Sequence, residues 1–323
     1  MNTAFDRQAL RFLRQALCVG VLFILAGAFS SCKTEGAPGS DAIAEYHTFL
    51  NGLPRDGPNS IQTATAYFQQ HFVNKSQRQR DAAFLAFRNF YYPAVKSADV
   101  LIDRKKWQEV ENDWKKQEFL QWLGDNGLAL CSSEGNYFID ESYSFLLCTF
   151  GRYVSKPLRD YLALRQVEMR RRYVEDAALR ISFLEVAKRC VAWERYLREY
   201  PRSSLRSDAE YRYRDYLAIL LEGMNKNCIL DEWSEDPKKW QRGIEEAYEY
   251  IIKDYGETRP GQLIAAYYSL VKRSGFKKTP EVEQFLKDHK SEYTRERTRS
   301  SYPDFGYIVA PESCGPPTPY EMR

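Results

Sequence analysis

Along residues 176–200 the apolar positions Leu179, Phe183, Val186, Cys190, Trp193, Leu197 and Tyr200 recur at alternating intervals of four and three. That spacing predicts an amphipathic helix burying one full stripe. Ile181, Leu184, Ala187 and Val191 add an adjacent stripe, so the helix has neighbours on two sides, and Pro201 stops it. On this reading Leu179, Phe183, Val186 and Leu197 are buried, while Arg180, Lys188 and Arg198 face solvent. Ile244, Tyr248, Ile251 and Tyr255 repeat the pattern up to Gly256. A further helix opens near Pro260 and carries Leu263, Tyr267 and Leu270 until Gly275. Trp107, Val110 and Trp114 mark another across 103–123. Short breaks such as "PRSS", "GETRP" and "GFKKTP" separate these runs. Helices joined by brief turns predict stacked helical hairpins.

The periodicity changes at "GDNGLALCSSEGNYFID", residues 124–140, which predicts a β-hairpin near 128–139. Its strands are Leu128–Ser132 and Tyr137–Ile139, with the turn at Ser133–Asn136. The last stretch, 300–323, is rich in Pro, lacks periodicity and reads as an extended or disordered tail. The expected fold is therefore mainly all-α and α-solenoid-like, with one small hairpin. The expected organisation is a leader over 1–31, a flexible tether over 32–43, a helical domain over 44–299 and the tail.

An aromatic or Ile four residues before a ring recurs near predicted helix ends: Phe68/Phe72, Tyr196/Tyr200, Ile251/Tyr255 and Phe285/His289. The last two pairs lie one tetratricopeptide period apart. The stretch 192–220, "AWERYLREYPRSSLRSDAEYRYRDYLAIL", resembles a tetratricopeptide-type helix-turn-helix. Its Tyr-Pro turn is similar to that of helical-repeat envelope lipoproteins.

The N-terminal pattern is of another kind. Arg7, Arg11 and Arg14 precede an uncharged, mostly apolar stretch from Ala16 to Phe29. That stretch falls short of the roughly 20 residues a membrane-spanning helix needs. Basic flank, short apolar run and small residues are the layout of a secretory signal peptide. "FSSCK", 29–33, resembles the lipobox of bacterial lipoproteins, with Phe29 where Leu is usual. The resemblance implies cleavage before Cys32 and acylation of its sulfur, palmitate among the chains. One acyl chain holds a protein only marginally, so several on one cysteine make the stable anchor. The following "KTEGAPGSDA" is polar and rich in Gly, Pro and Ser, as a tether requires.

Removing residues 1–31 leaves 44 Lys and Arg against 43 Asp and Glu. Nothing in that balance asks for nucleic acid or a polyanionic partner. The basic run Met169-Arg-Arg-Arg-Tyr173 reads as a solvated helix face. Cys131, Cys148, Cys190, Cys228 and Cys314 remain after cleavage and acylation, without metal spacing. An exported chain can oxidise a pair, and Cys131 with Cys148 is the closest in sequence. Cys190, on the helical stripe, reads as a buried thiol.

Catalytic signals are sparse. His47, His71 and His289 sit in no HExxH, and no GxSxG, GxxxxGK[ST] or GxGxxG occurs. No cofactor or metal is implied. The candidate ligand contacts are Glu134, Tyr137 and Asp140, clustered beside the hairpin glycines, with Glu141 adjacent. Two such carboxylates can act as acid and base if their environments split their pKa values. The abundant aromatics, 23 Tyr among them, read mainly as seam fillers between helices. The expectation is a lipid-anchored helical scaffold of the bacterial envelope, at the outer membrane, engaging a protein or peptide partner. The alternatives are an envelope enzyme or glycan-binding lipoprotein acting on cell-wall or polysaccharide material.

Overall fold

The computed structural model describes residues 40–57, 59–98, 114–176, 178–224, 227–230, 238–294 and 307–308. The chain is mainly α with a small β-hairpin, as its periodicity predicts. The first helix, α1 (Ser40–Gly52), opens four residues before the predicted domain boundary. In α2 (Ser60–Phe72) the buried residues Ile61, Ala64, Phe68 and Phe72 follow helical spacing, and α2 packs on α3 (Gln77–Ala98). The Tyr46 hydroxyl of α1 donates to the Ala64 carbonyl at 2.9 Å. Next come α4 (Trp114–Asp125), β1 (Leu128–Ser133), β2 (Asn136–Glu141) and the short α5 (Tyr143–Phe150). The α5 ring of Phe150 lies 4.8 Å from Phe68, 5.3 Å from Phe84 and 4.6 Å from Phe87. Three helices thus share one aromatic seam. The predicted residues Trp107 and Val110 lie outside the described residues.

The hairpin forms as predicted, longer by one residue in β1 and by three in β2. Its register pairs Ser133 with Asn136 and Leu128 with Glu141. Glu134 and Gly135 turn the chain with φ of 51° and 75°. Both central residues are left-handed, the geometry that matches strand twist in a two-residue turn. Gly127 enters β1 at φ 71°, and a Cβ there would lie 2.5 Å from the Phe145 ring. The Tyr91 hydroxyl clips both ends of the hairpin. It donates to the Gly127 carbonyl at 2.5 Å and accepts from the Ser142 N–H at 2.8 Å. A third strand, β7 (Tyr307–Ile308), pairs antiparallel with Cys131 and Ser132 of β1. The predicted extended tail therefore contributes a strand.

The second half is built from α6 (Lys156–Arg170), α7 (Phe183–Glu199), α8 (Arg206–Glu222), α9 (Lys238–Tyr255), α10 (Arg259–Arg273), α11 (Pro280–Asp288) and α12 (Lys290–Tyr293). Between α6 and α7 lie β3 (Val174–Glu175) and β4 (Ala178–Leu179); after α8 come β5 (Gly223–Met224) and β6 (Asn227–Cys228). The predicted helix over 176–200 begins only at Phe183. Asp176 takes a left-handed φ of 49°, and Ser182 caps the helix by accepting from the Glu185 N–H at 3.1 Å. A side-chain cap of this kind fixes a helix start. α7 packs on α8 in an antiparallel hairpin and also on α9, and α9 packs on α10. Two neighbours explain why Val186, Ala187, Cys190, Val191 and Trp193 are buried. Leu179, Phe183 and Leu197 are only half-buried, which corrects the predicted stripe; Lys188 is half-buried too, while Arg180 and Arg198 are exposed.

The echoing pairs sit at helix C-termini. Phe68 and Phe72 stack at 5.8 Å, Tyr196 and Tyr200 meet edge-on at 5.1 Å, and Phe285 lies 4.4 Å from the His289 ring. Tyrosine hydroxyls also finish α8. Tyr248 donates to the Leu220 carbonyl at 2.5 Å and Tyr267 to the Leu221 carbonyl at 2.9 Å. Carbonyls in the last turn of a helix lack intrahelical partners, so α9 and α10 cap the helix they pack on.

Candidate functional site

The most distinctive chemistry lies inside the fold. Leu158, Tyr161, Arg165 and Glu168 of α6, and Arg172 two residues beyond its end, fall at intervals of three and four. The apolar stripe thus turns ionic in its second half. Arg165, Glu168, Arg172, Arg189, Arg212 and Asp215 are all buried. Such residues are seldom enclosed unless paired. Glu168 Oε2 accepts from Arg165 Nη1 at 2.5 Å and from Arg212 Nη1 at 3.1 Å. Its Oε1 accepts from the Trp193 indole at 2.5 Å. One carboxylate thereby ties α6, α7 and α8. The Arg165 guanidinium also lies 4.5 Å from the Tyr143 ring centroid, joining α5 to the cluster.

Two satellite contacts extend it. Arg189 donates to Glu185 at 2.8 Å and to the Arg171 carbonyl at 2.8 Å. Tyr173 donates to the Asp215 carboxylate. Closer to the first half, Arg88 pairs with Asp208 at 2.6 Å and so links α3 to α8.

The hairpin root joins the cluster through Arg172. This residue of the basic run is buried, not solvated, whereas Arg170 and Arg171 are exposed. Arg172 Nη2 lies 2.9 Å from Asp140 Oδ2 and 2.9 Å from Cys131 Sγ. Cys131 and Phe138 are cross-strand partners, so Cys131, Phe138 and Asp140 share the face that Arg172 covers. The spacing continues the apolar stripe, but charged residues at those positions give no local sign of burial.

The three sequence candidates separate. Glu134 is exposed at the turn, where its carbonyl accepts from Asn136 Nδ2 at 3.3 Å. Tyr137 is half-buried on the face opposite Asp140, since side chains alternate along a strand. Asp140 is at the root, held by Arg172 and accepting the Glu141 N–H on Oδ1 at 2.9 Å. Glu134 and Asp140 are thus on the order of 15 Å apart along the hairpin. They are not arranged as an acid and base acting on one bond.

Glu141 turns inward instead and accepts from the Tyr143 hydroxyl at 3.1 Å. Burial pulls its carboxyl above the ordinary carboxylate range, with Asp140 adding; Arg88, Arg165 and the Tyr143 hydrogen bond oppose. A raised carboxyl holds its proton to higher pH folded than unfolded. Its contribution to stability is therefore fully present below the unfolded pKa and is lost as pH rises through the folded one. Glu141→Gln should remove that fall, and urea midpoints measured from acid to neutral pH should show the variant gaining on the parent. Parallel curves would mean that Glu141 is solvated.

Burial also pushes the Cys190 thiol up, with Glu194 adding, as suits an inert packing thiol. Cys131, Cys190 and Cys228 are in the thiol form, while Cys148 is disulfide-bonded. The Cys131–Cys148 pairing is therefore not the one formed. His71 is exposed against the Tyr67 ring, and His289 contacts Glu292 at 2.8 Å. Among the described residues no group of three or more His, Cys, Asp or Glu is placed to hold a metal ion, and no helix is long and apolar enough to cross a membrane. No protein-family model, curated protein or solved structure matches this chain.

Proposed function

We propose that this chain is a lipid-anchored, non-catalytic binding protein of the bacterial cell envelope. An acylated Cys32 holds it at the outer membrane, and stacked tetratricopeptide-like helices engage a protein or peptide partner. The observation that carries the reading is the N-terminal order of Arg7, Arg11 and Arg14, the uncharged run Ala16–Phe29 and then "SSCK". The cations stay on the cytoplasmic side, the apolar run enters the bilayer, and the small residues admit a peptidase. A disulfide at Cys148 suits an oxidising compartment. The packing of α7 against both α8 and α9, and of α9 against α10, supports a repeat-like array, an architecture that offers extended surfaces to segments of other proteins. The interior charges are engaged in holding helices together, and the hairpin carboxylates are apart, which favours binding over acid–base chemistry.

Mass spectrometry of the mature chain should find an N-terminal Cys32 carrying acyl groups, in the outer-membrane fraction. Residues 1–31 still attached, or an unmodified N-terminus, would sink the anchor. Photo-crosslinkers at exposed Glu249 of α9 and Gln262 of α10 should capture one partner reproducibly, and the same groups at the exposed Glu134 turn should not. Capture through Glu134 alone would move the binding surface to the hairpin.

A further inference from the structure

Arg195 of α7 differs from the other enclosed arginines. Arg88, Arg165, Arg172, Arg189 and Arg212 each meet a carboxylate, and half-buried Arg80 and Arg214 rest on main-chain carbonyls. Half-buried Arg195 meets neither among the described residues; its acceptor is the Tyr255 hydroxyl of α9, 3.1 Å from Nη2. The Tyr250 hydroxyl donates to the same oxygen at 3.3 Å. A phenol oxygen that accepts twice turns its own proton away from both donors. The Tyr255 O–H and the remaining Arg195 N–H groups are therefore neighbours, and no protein acceptor among the described residues takes either. The seam that holds them is repeat-like. Gly243 of α9 lies against Phe183 of α7 and Tyr255 against Arg195, each pair 60 positions apart, so the two helices run parallel. Of the carboxylates nearby, Glu199 is bound by Lys156 and Tyr200. Asp254, whose charge is felt at the Tyr250 hydroxyl, is exposed to water, which screens it.

We propose that Arg195 and Tyr255, braced by Tyr250, form a subsite for a carboxylate on the peptide partner of the helical array; the choice of a peptide as occupant rests on the binding reading above. A carboxylate presents two oxygens that only accept, the complement of a guanidinium beside a phenol O–H. Arg is also the cation suited to planar two-oxygen groups and to a seat against an aromatic ring, and its guanidinium carbon lies 6.0 Å from the Tyr255 ring centroid. Half-burial strengthens such a bond relative to one in open water. A phosphate dianion calls for more positive charge, and Lys156, the cation bound to this end of α7, is spent on Asp160, Glu199 and Tyr200. The subsite stands on the parallel pair of the array, along which an extended segment can lie.

The full mature chain, offered a panel of short random-sequence peptides, each made as free acid and as C-terminal amide, with and without Glu, provides the test. The parent should retain the carboxylate-bearing members. Arg195→Gln and Tyr255→Phe should each weaken retention by about tenfold or more while thermal unfolding stays unchanged. Arg195→Lys keeps the charge without the planar fork and should fall between the parent and Arg195→Gln. Retention of free acids whatever their side chains supports the subsite as one for a chain terminus, and retention of Glu-bearing amides supports it as one for a side chain. No preference for carboxylates, or a preference that survives Arg195→Gln, overturns it. Retention of basic peptides instead would hand this end of the seam to Glu199 and Asp254 and overturn it too. Should Arg195→Gln unfold early, Tyr255→Phe, which keeps its ring, decides by the same reading. Partner capture at Glu249 and Gln262 that Arg195→Gln leaves unchanged removes the subsite alone and keeps the binding reading. Carboxylate retention that Arg195→Gln abolishes, with no partner captured at either crosslinker, keeps the subsite and removes the binding reading.

Discussion

Glu168→Ala should destabilise the folded domain by about 3–5 kcal/mol, the cost of leaving buried charge uncompensated. The Glu168 side chain is 2 % exposed, and those of Arg165 and Arg212 are 3 % and 7 % exposed. Removing the carboxylate takes the shared Oε2 acceptor from both guanidiniums and the Oε1 acceptor from the Trp193 indole. Total stabilities run to about 5–15 kcal/mol, so this change removes a large share. Thermal unfolding should move down by roughly 6–20 °C in a domain of this size. The informative companion is the triple variant Arg165→Met, Glu168→Leu, Arg212→Met. Replacing a whole buried ion set by apolar residues of similar volume is commonly neutral or stabilising. The triple variant should therefore recover much of what Glu168→Ala loses, as read from urea midpoints. A loss below about 1 kcal/mol for Glu168→Ala would mean that water reaches the cluster.

This cluster also marks where sequence reading stops. A helical stripe is legible when its members are apolar, and Ile244, Tyr248 and Ile251 are buried where their spacing puts them. Leu158, Tyr161 and Leu162 continue in the same way into Arg165 and Glu168, but charge is ordinarily taken as a sign of solvent. Only the arrival of Arg212 and Trp193 from α8 and α7 makes burial tolerable, and no local pattern announces such partners. Arg172 fails to be legible for the same reason: its partner Asp140 is 32 positions earlier. The hairpin is legible because its turn chemistry is local, whereas the pairing of β7 with β1 joins residues on either side of the helical array. At the candidate site, spacing gathers Glu134, Tyr137 and Asp140 within a few residues, yet strand alternation and the length of β2 send them to different surroundings.

The start of α7 teaches a narrower lesson. The spacing over Leu179 and Phe183 continues the helical period, but β3 and β4 turn back on themselves at Asp176, and the Ser182 hydroxyl takes up the Glu185 N–H. A Ser two residues after Arg180, with Glu three residues further on, is a capping signature, and it outranks apolar spacing where the two conflict. The burial of α7 is then centred further along, where α8 and α9 both reach it.

Trp193→Ala and Phe183→Ala should accordingly differ, although both rings stand on one predicted stripe. Trp193 is 1 % exposed, meets Tyr161 at 5.5 Å and Tyr196 at 5.7 Å, and donates to Glu168. Its truncation opens a cavity between three helices and should cost about 3–5 kcal/mol. Phe183 is half-buried in the first turn of α7, with part of its ring already in water. Its truncation should cost about 1–2 kcal/mol, in proportion to the apolar area it still removes from solvent. Trp193→Phe keeps a ring in place and deletes the indole donor, so it isolates the hydrogen bond to a charged acceptor, about 1.5–3 kcal/mol. Because that donor and Glu168 are one unit, combining Trp193→Phe with Glu168→Gln should cost less than the two singles added, by about 0.5–3 kcal/mol. Strict additivity would separate the indole from the cluster. Equal losses for Trp193→Ala and Phe183→Ala would return the centre of burial to the start of α7 and place Trp193 at a loose seam.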